Sequence, residues 1–121
     1  MLGSSASQPS ASTDSIRLID CDTLQHWQDE NRVVLVDVRE ATEYQAGHIA
    51  GSTLVPLSRF DPGAIPAIPA GHHLVIHCRS GHRCGVAAAL LLAAGYSGPV
   101  HRLEGGILAW ASRGLPIVGG G

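Results

Sequence analysis

The run His77-Cys78-Arg79-Ser80-Gly81-His82-Arg83-Cys84 places a thiol among cationic side chains and a glycine. It begins where a strand-like apolar segment ends and passes into a helix-forming one. A tight loop through Gly81 can turn its N–H groups inward and form an anion-binding nest. The helix that follows adds free N–H groups and the positive end of its dipole. With Arg79, His82 and Arg83 close by, these effects favour a thiolate over a thiol and lower the cysteine pKa from its free value of about 8.5. A thiolate is a nucleophile, and the same donors suit an anionic substrate or a persulfide on Cys78. The competing reading is an ordinary small buried cysteine. That reading suits Cys21, which has no cationic neighbours in sequence.

The elements that would position this loop follow from periodicity. Leu74-Val75-Ile76-His77 is a short apolar run and predicts a buried strand. Arg83 to Ala94 is rich in Ala and Leu and predicts a helix closed by Gly95. Ile16 to Ile19 reads as an edge strand, and Asp22 as the cap of a helix running to Glu30. Val33 to Val38 is nearly continuous β-branched sequence, as expected of a strand buried on both faces. A short helix over Ala41 to Gln45 and a strand over Gly51 to Leu57 follow. Three prolines make Phe60 to Gly71 a surface connection. Val100 to Leu103 is a last strand and Gly106 to Ser112 a last helix. Alternation of strands and helices predicts an α/β domain with a mostly parallel five-stranded sheet flanked by helices in three layers. In such sheets sites form beyond the carboxyl ends of the strands, where Cys78 lies.

Composition sets the class. The 121 residues are 45% hydrophobic and 15% charged, which fits one packed domain. Residues 1–15 are expected to be a flexible leader, residues 16–117 the domain, and residues 118–121 a Gly-rich tail. A net charge of -2 offers no footprint for nucleic acid. No apolar run approaches the roughly 20 residues of a membrane span, and the leader lacks the cationic start and apolar stretch of a signal peptide. Three cysteines leave one unpaired and argue for a reducing compartment, so a cytoplasmic protein is expected. A monomer is expected too. The histidines, His72-His73 included, lack partners at metal-ligand spacing, and no metal is expected.

The sequence resembles single-domain rhodaneses, a sulfurtransferase family, and it does so in three motifs in order. Val36-Asp37-Val38-Arg39-Glu40, Glu43-Tyr44 and Gly47-His48-Ile49-Ala50-Gly51-Ser52 resemble the first signature. Cys78-Arg79-Ser80-Gly81-His82-Arg83 resembles the active loop, and Leu103-Glu104-Gly105-Gly106-Ile107 with Trp110 the closing signature. The similarity covers about Ile16 to Pro116. It implies a rhodanese-like fold and covalent catalysis without a cofactor. Cys78 would take sulfur from a donor such as thiosulfate and yield it to a thiol, cyanide or a sulfur-accepting protein. Loop N–H groups of Ser80 and Gly81 would hold the persulfide, while Arg79 and Arg83 would suit an anionic group. His82 would add charge or a hydrogen bond, or simply be solvated.

Phosphatases and arsenate reductases related to this fold carry a loop one residue longer, sized for a tetrahedral oxyanion. The six residues from Cys78 to Arg83 therefore favour sulfur. After the loop arginine the family usually has Ser or Thr, whose hydroxyl can donate to the catalytic sulfur; here it is Cys84. A thiol is a weaker donor. Cys84 is either a candidate redox partner for Cys78 or a small residue filling a helix start. A non-catalytic redox or persulfide sensor using both cysteines is thus the alternative function. Asp37, Arg39 and Glu43 are expected to form a polar network fixing the site walls rather than steering substrate. Glu40 is expected to be solvated. His48 is expected to order a turn, and His77 to pack.

Overall fold

The computed structural model describes residues 15–119. The expected leader lies outside the described residues except for Ser15, as do Gly120 and Gly121. Among the described residues five strands and four α-helices follow in order: β1 (Ile16–Ile19), α1 (Cys21–Asp29), β2 (Val33–Asp37), α2 (Ala41–Ala46), β3 (Thr53–Leu54), β4 (His73–His77), α3 (His82–Ala93), β5 (Val100–Leu103) and α4 (Gly106–Ser112). The strands form one sheet in the order β1-β5-β4-β2-β3. Every strand pair in it is parallel. All carboxyl ends of the strands therefore gather at one edge of the sheet, and the loop after β4 lies in the middle of that edge.

The central strands are buried on both faces, which explains their unbroken apolar sequence. Val36, Leu74 and Ile76 pack with Ala87, Ala88 and Leu91 of α3 on one side. Leu35 and Val75 pack with Leu24 of α1 and Ile107 and Trp110 of α4 on the other. Neighbouring residues thus face opposite layers, as the pleat requires. Cys78 and Cys84 belong to the α3 layer, so the reactive loop is rooted in the core rather than laid over it.

Several elements differ from expectation. Helix α1 is capped by Asp20, whose side chain accepts from Thr23 N–H at 2.8 Å, not by Asp22. Asp22 lies in the first turn and pairs instead with Arg113. The expected strand over residues 51–57 shrinks to Thr53–Leu54, because only Val36 and Asp37 of β2 lie opposite it. The proline-rich connection holds a 3₁₀ turn at Pro62–Ala64, preceded by another at Leu57–Arg59. Val118, expected in the tail, exchanges two backbone hydrogen bonds of 2.8 Å with His48 and is tied to the domain. Glu40 is half-buried rather than solvated: its carboxylate accepts from the Ser58 hydroxyl at 2.6 Å.

Candidate active site

Helix α3 begins at a glycine. Gly81 is its N-cap, with φ 110°, and offers no side chain to the open N–H groups of the first turn. The Cys78 sulfur takes that place. It accepts from Gly81 N–H at 3.2 Å and from Cys84 N–H at 3.4 Å. Beside these donors stands the Cys84 thiol. That thiol above all, then the N–H groups of Cys84, Gly81 and Arg83, outweigh burial and bring the Cys78 pKa down to about 5. The sulfur is a helix-capping anion supplied from outside the helix.

The loop keeps its N–H groups turned inward because its carbonyls are engaged elsewhere. Ile107 N–H donates to the Cys78 carbonyl at 2.9 Å and Leu108 N–H to the Arg79 carbonyl at 3.1 Å. Both donors come from the first turn of α4. The approach requires Gly106, where φ is 60° and any Cβ would overlap the Cys78 and Arg79 carbonyls. The Gly105-Gly106 pair is thus where two backbones meet.

Around the loop the charged residues separate into distinct roles. Asp37 and Arg39 are buried and joined by hydrogen bonds of 3.0, 3.0 and 2.7 Å, and Arg39 also donates to the Gly47 carbonyl at 2.7 Å. They tie the end of β2 to the end of α2, a wall of the site. Glu43 does not join that pair. Its carboxylate grips Arg83 through two bonds of 2.8 and 2.9 Å, and this contact chiefly holds its pKa down at about 2. Arg83, expected to face a substrate anion, is thereby occupied by Glu43. Arg79, Ser80 and His82 are exposed, and among the described residues Arg79 and His82 form no ion pair. The exposed cation at the loop is Arg79, with the His82 imidazole beside it.

Cys84 is fully buried and donates to the Gly81 carbonyl at 3.2 Å. The neighbouring Cys78 sulfur, with burial, pushes its pKa far up, so it stays a thiol. Cys21 is buried as well, and burial raises its pKa. His77 lies beneath the loop with Nε2 3.7 Å from Asp37, and burial lowers its pKa, so it packs as a neutral ring. His48 stacks on Tyr44 and places Nδ1 2.9 Å from the Tyr44 carbonyl, ordering the turn before β3. His73 stacks on Trp27, with His101 edge-on to both. Among the described residues no cluster has the makings of a metal site, and no helix is long and apolar enough to cross a membrane.

The sequence of the Rhodanese-like domain family matches residues 20–113. The chain belongs to the rhodanese-like family. A sulfurtransferase of Allochromatium vinosum is 43% identical over 101 residues, covering 83% of this chain and 92% of the relative. An uncharacterized protein of Synechocystis is 44% identical over 96 residues, 79% of this chain, but this rhodanese-like chain spans only 52% of that relative's length. The crystal structure of a rhodanese-related protein from Thermoplasma volcanium superposes with a TM-score of 0.68 at 28% identity, covering 84% of this chain and 97% of the other. Family membership agrees with the motifs and with the all-parallel sheet.

Proposed function

We propose that this rhodanese-like domain is a sulfurtransferase that carries sulfane sulfur on Cys78. The observation that carries the reading is the sulfur's position at the start of α3, where Gly81 and Cys84 N–H groups converge on it at 3.2 and 3.4 Å. With its pKa near 5, Cys78 is a thiolate at neutral pH without a general base. With thiosulfate, the thiolate attacks the outer sulfur. A new S–S bond forms, the old one breaks, and its electron pair leaves with sulfite. The terminal sulfur of the resulting persulfide inherits the negative charge. A thiolate or cyanide then attacks that sulfur and releases Cys78 as thiolate, so no proton or electron is left unaccounted for. Arg79 is the exposed cationic group that would draw an anionic donor, and the exposed His82 ring could add a hydrogen bond.

The redox-sensor alternative requires Cys84 to ionise and attack. Its burial and the adjacent Cys78 charge oppose that step, which supports the transferase reading. Intact mass after adding thiosulfate tests it. The expected result is a gain of one sulfur, lost on adding cyanide and absent from Cys78→Ala. No adduct with thiosulfate or with a low-molecular-weight persulfide overturns it.

A further inference from the structure

Arg102 lies outside the three motifs, on β5 between the buried residues His101 and Leu103. Its guanidinium reaches beneath the reactive loop and donates to the Gly81 carbonyl at 2.8 Å. The same carbonyl is the acceptor of the Cys84 thiol at 3.2 Å. A second observation is independent of these bonds. Gly85 occupies the first turns of α3, where glycine weakens a helix relative to alanine. A Cβ at that position would lie 3.2 Å from the Arg102 guanidinium carbon and one of its terminal nitrogens. The bare glycine leaves the passage through which Arg102 reaches the loop.

We propose that Arg102 is a positioning residue for Cys78, acting through the Gly81 carbonyl at the start of α3. This rests on the reading of Cys78 as the nucleophile. The Gly81 carbonyl accepts from Arg102 and from the Cys84 S–H together, one bond for each lone pair. A charged donor at 2.8 Å is the stronger of the two partners. Arg102 thereby fixes the Gly81–His82 peptide at the helix start, the turn whose Gly81 and Cys84 N–H groups bond the Cys78 sulfur. The Arg102 charge also reaches Cys84 directly, opposing the rise in that thiol's pKa. The other charged and titratable groups around the sulfur are Arg79 in the loop, Arg83 on α3, Glu43 on α2, Asp37 and Arg39 at the end of β2, and His77 on β4. None of them bonds to Arg102 among the described residues.

The test is the pH profile of Cys78 alkylation by iodoacetamide, read by peptide mass on the full chain. Arg102→Met should raise the apparent pKa by about one unit, the scale of one lost hydrogen bond. Gly85→Ala, which strengthens the helix and keeps the protein folded, should crowd the guanidinium and move the pKa in the same direction. In a Cys84→Ala background both changes should still shift it, because the backbone N–H groups remain and Arg102 still holds the peptide. An unchanged pKa in Gly85→Ala and in folded Arg102→Met overturns the proposal. So does a rise that vanishes without Cys84, because Arg102 would then act through that thiol. Sulfur loading is measured separately. A Cys78 that never loads, yet titrates with Arg102, sinks the transferase reading and leaves the positioning role intact.

Discussion

The Cys78 sulfur accepts from two backbone N–H groups, and the Cys84 thiol beside it does most to lower its pKa. This makes Cys84 a residue whose replacement separates size from hydrogen bonding. Cys84→Ser should keep the low Cys78 pKa or lower it, since a hydroxyl donates better than a thiol. Cys84→Ala should raise it. Alkylation rate against pH distinguishes the two. The Asp37–Arg39 pair is different in kind. Both side chains are almost wholly withdrawn from water, at 0% and 6% exposure. Removing one strands the other, so Asp37→Ala should cost about 3–5 kcal/mol in denaturant unfolding. The contact between Glu43 and Arg83 is partly exposed and weaker. Its sign with pH is fixed by the depressed Glu43 carboxyl. Its stabilisation is complete above the ordinary carboxylate pKa of 4.5 and is lost as pH falls through about 2. Glu43→Gln should therefore lower Tm slightly at pH 6 and progressively less as pH falls toward 2.

At the scale of elements, the site is a meeting of two helix starts. Helix α3 presents N–H groups to the Cys78 sulfur, and α4 presents N–H groups to the loop's carbonyls. Gly106 is the contact point. Gly106→Ala should destabilise the protein by about 3 kcal/mol, through both overlap and backbone strain, and should raise the Cys78 pKa by loosening the loop. Urea unfolding and alkylation measure the two effects. Much of this arrangement was legible in the sequence. The loop from Cys78 to Arg83, the Gly105-Gly106 pair and the strand–helix alternation are local patterns, and local patterns survive folding. The partners of the loop were not. Glu43 stands 40 positions from Arg83 and Arg102 stands 21 from Gly81. Such pairings are made by strand order, which a one-dimensional reading does not contain. A lone arginine in the strand Val100–Leu103, next to two buried neighbours, was the signal available for Arg102. Glu40 was misjudged for a similar reason, because Ser58 reaches it across the α2–β3 region. The cap is Asp20 and not the expected Asp22, although the two share one side-chain type. Where α1 starts decided between them.

For the molecule as a whole, the thiolate is coupled to folding. In the unfolded chain Cys78 titrates near the ordinary thiol value of 9, and in the folded protein near 5. Between these values the unfolded state binds more protons, so stability rises with pH. The contribution is complete above about pH 9 and disappears as pH falls through about 5. Wild type should gain Tm relative to Cys78→Ala as pH is raised across this window, and the two should converge in their pH dependence below it. A reactive atom that strengthens the fold when charged is unusual only in its address. It caps a helix as a carboxylate would, so its chemistry and its structural task use the same N–H groups.

The depth of that atom has a further consequence. Cys78 is 1% exposed. Bare, it can be reached by small reagents and hardly at all by a folded partner. On the proposed transferase reading, a persulfide would add one S–S bond, about 2 Å, beyond it. The cargo's own length would then bring the reactive end toward the rim and within reach of large acceptors. The empty site would be shielded from them by nothing more than being one atom short.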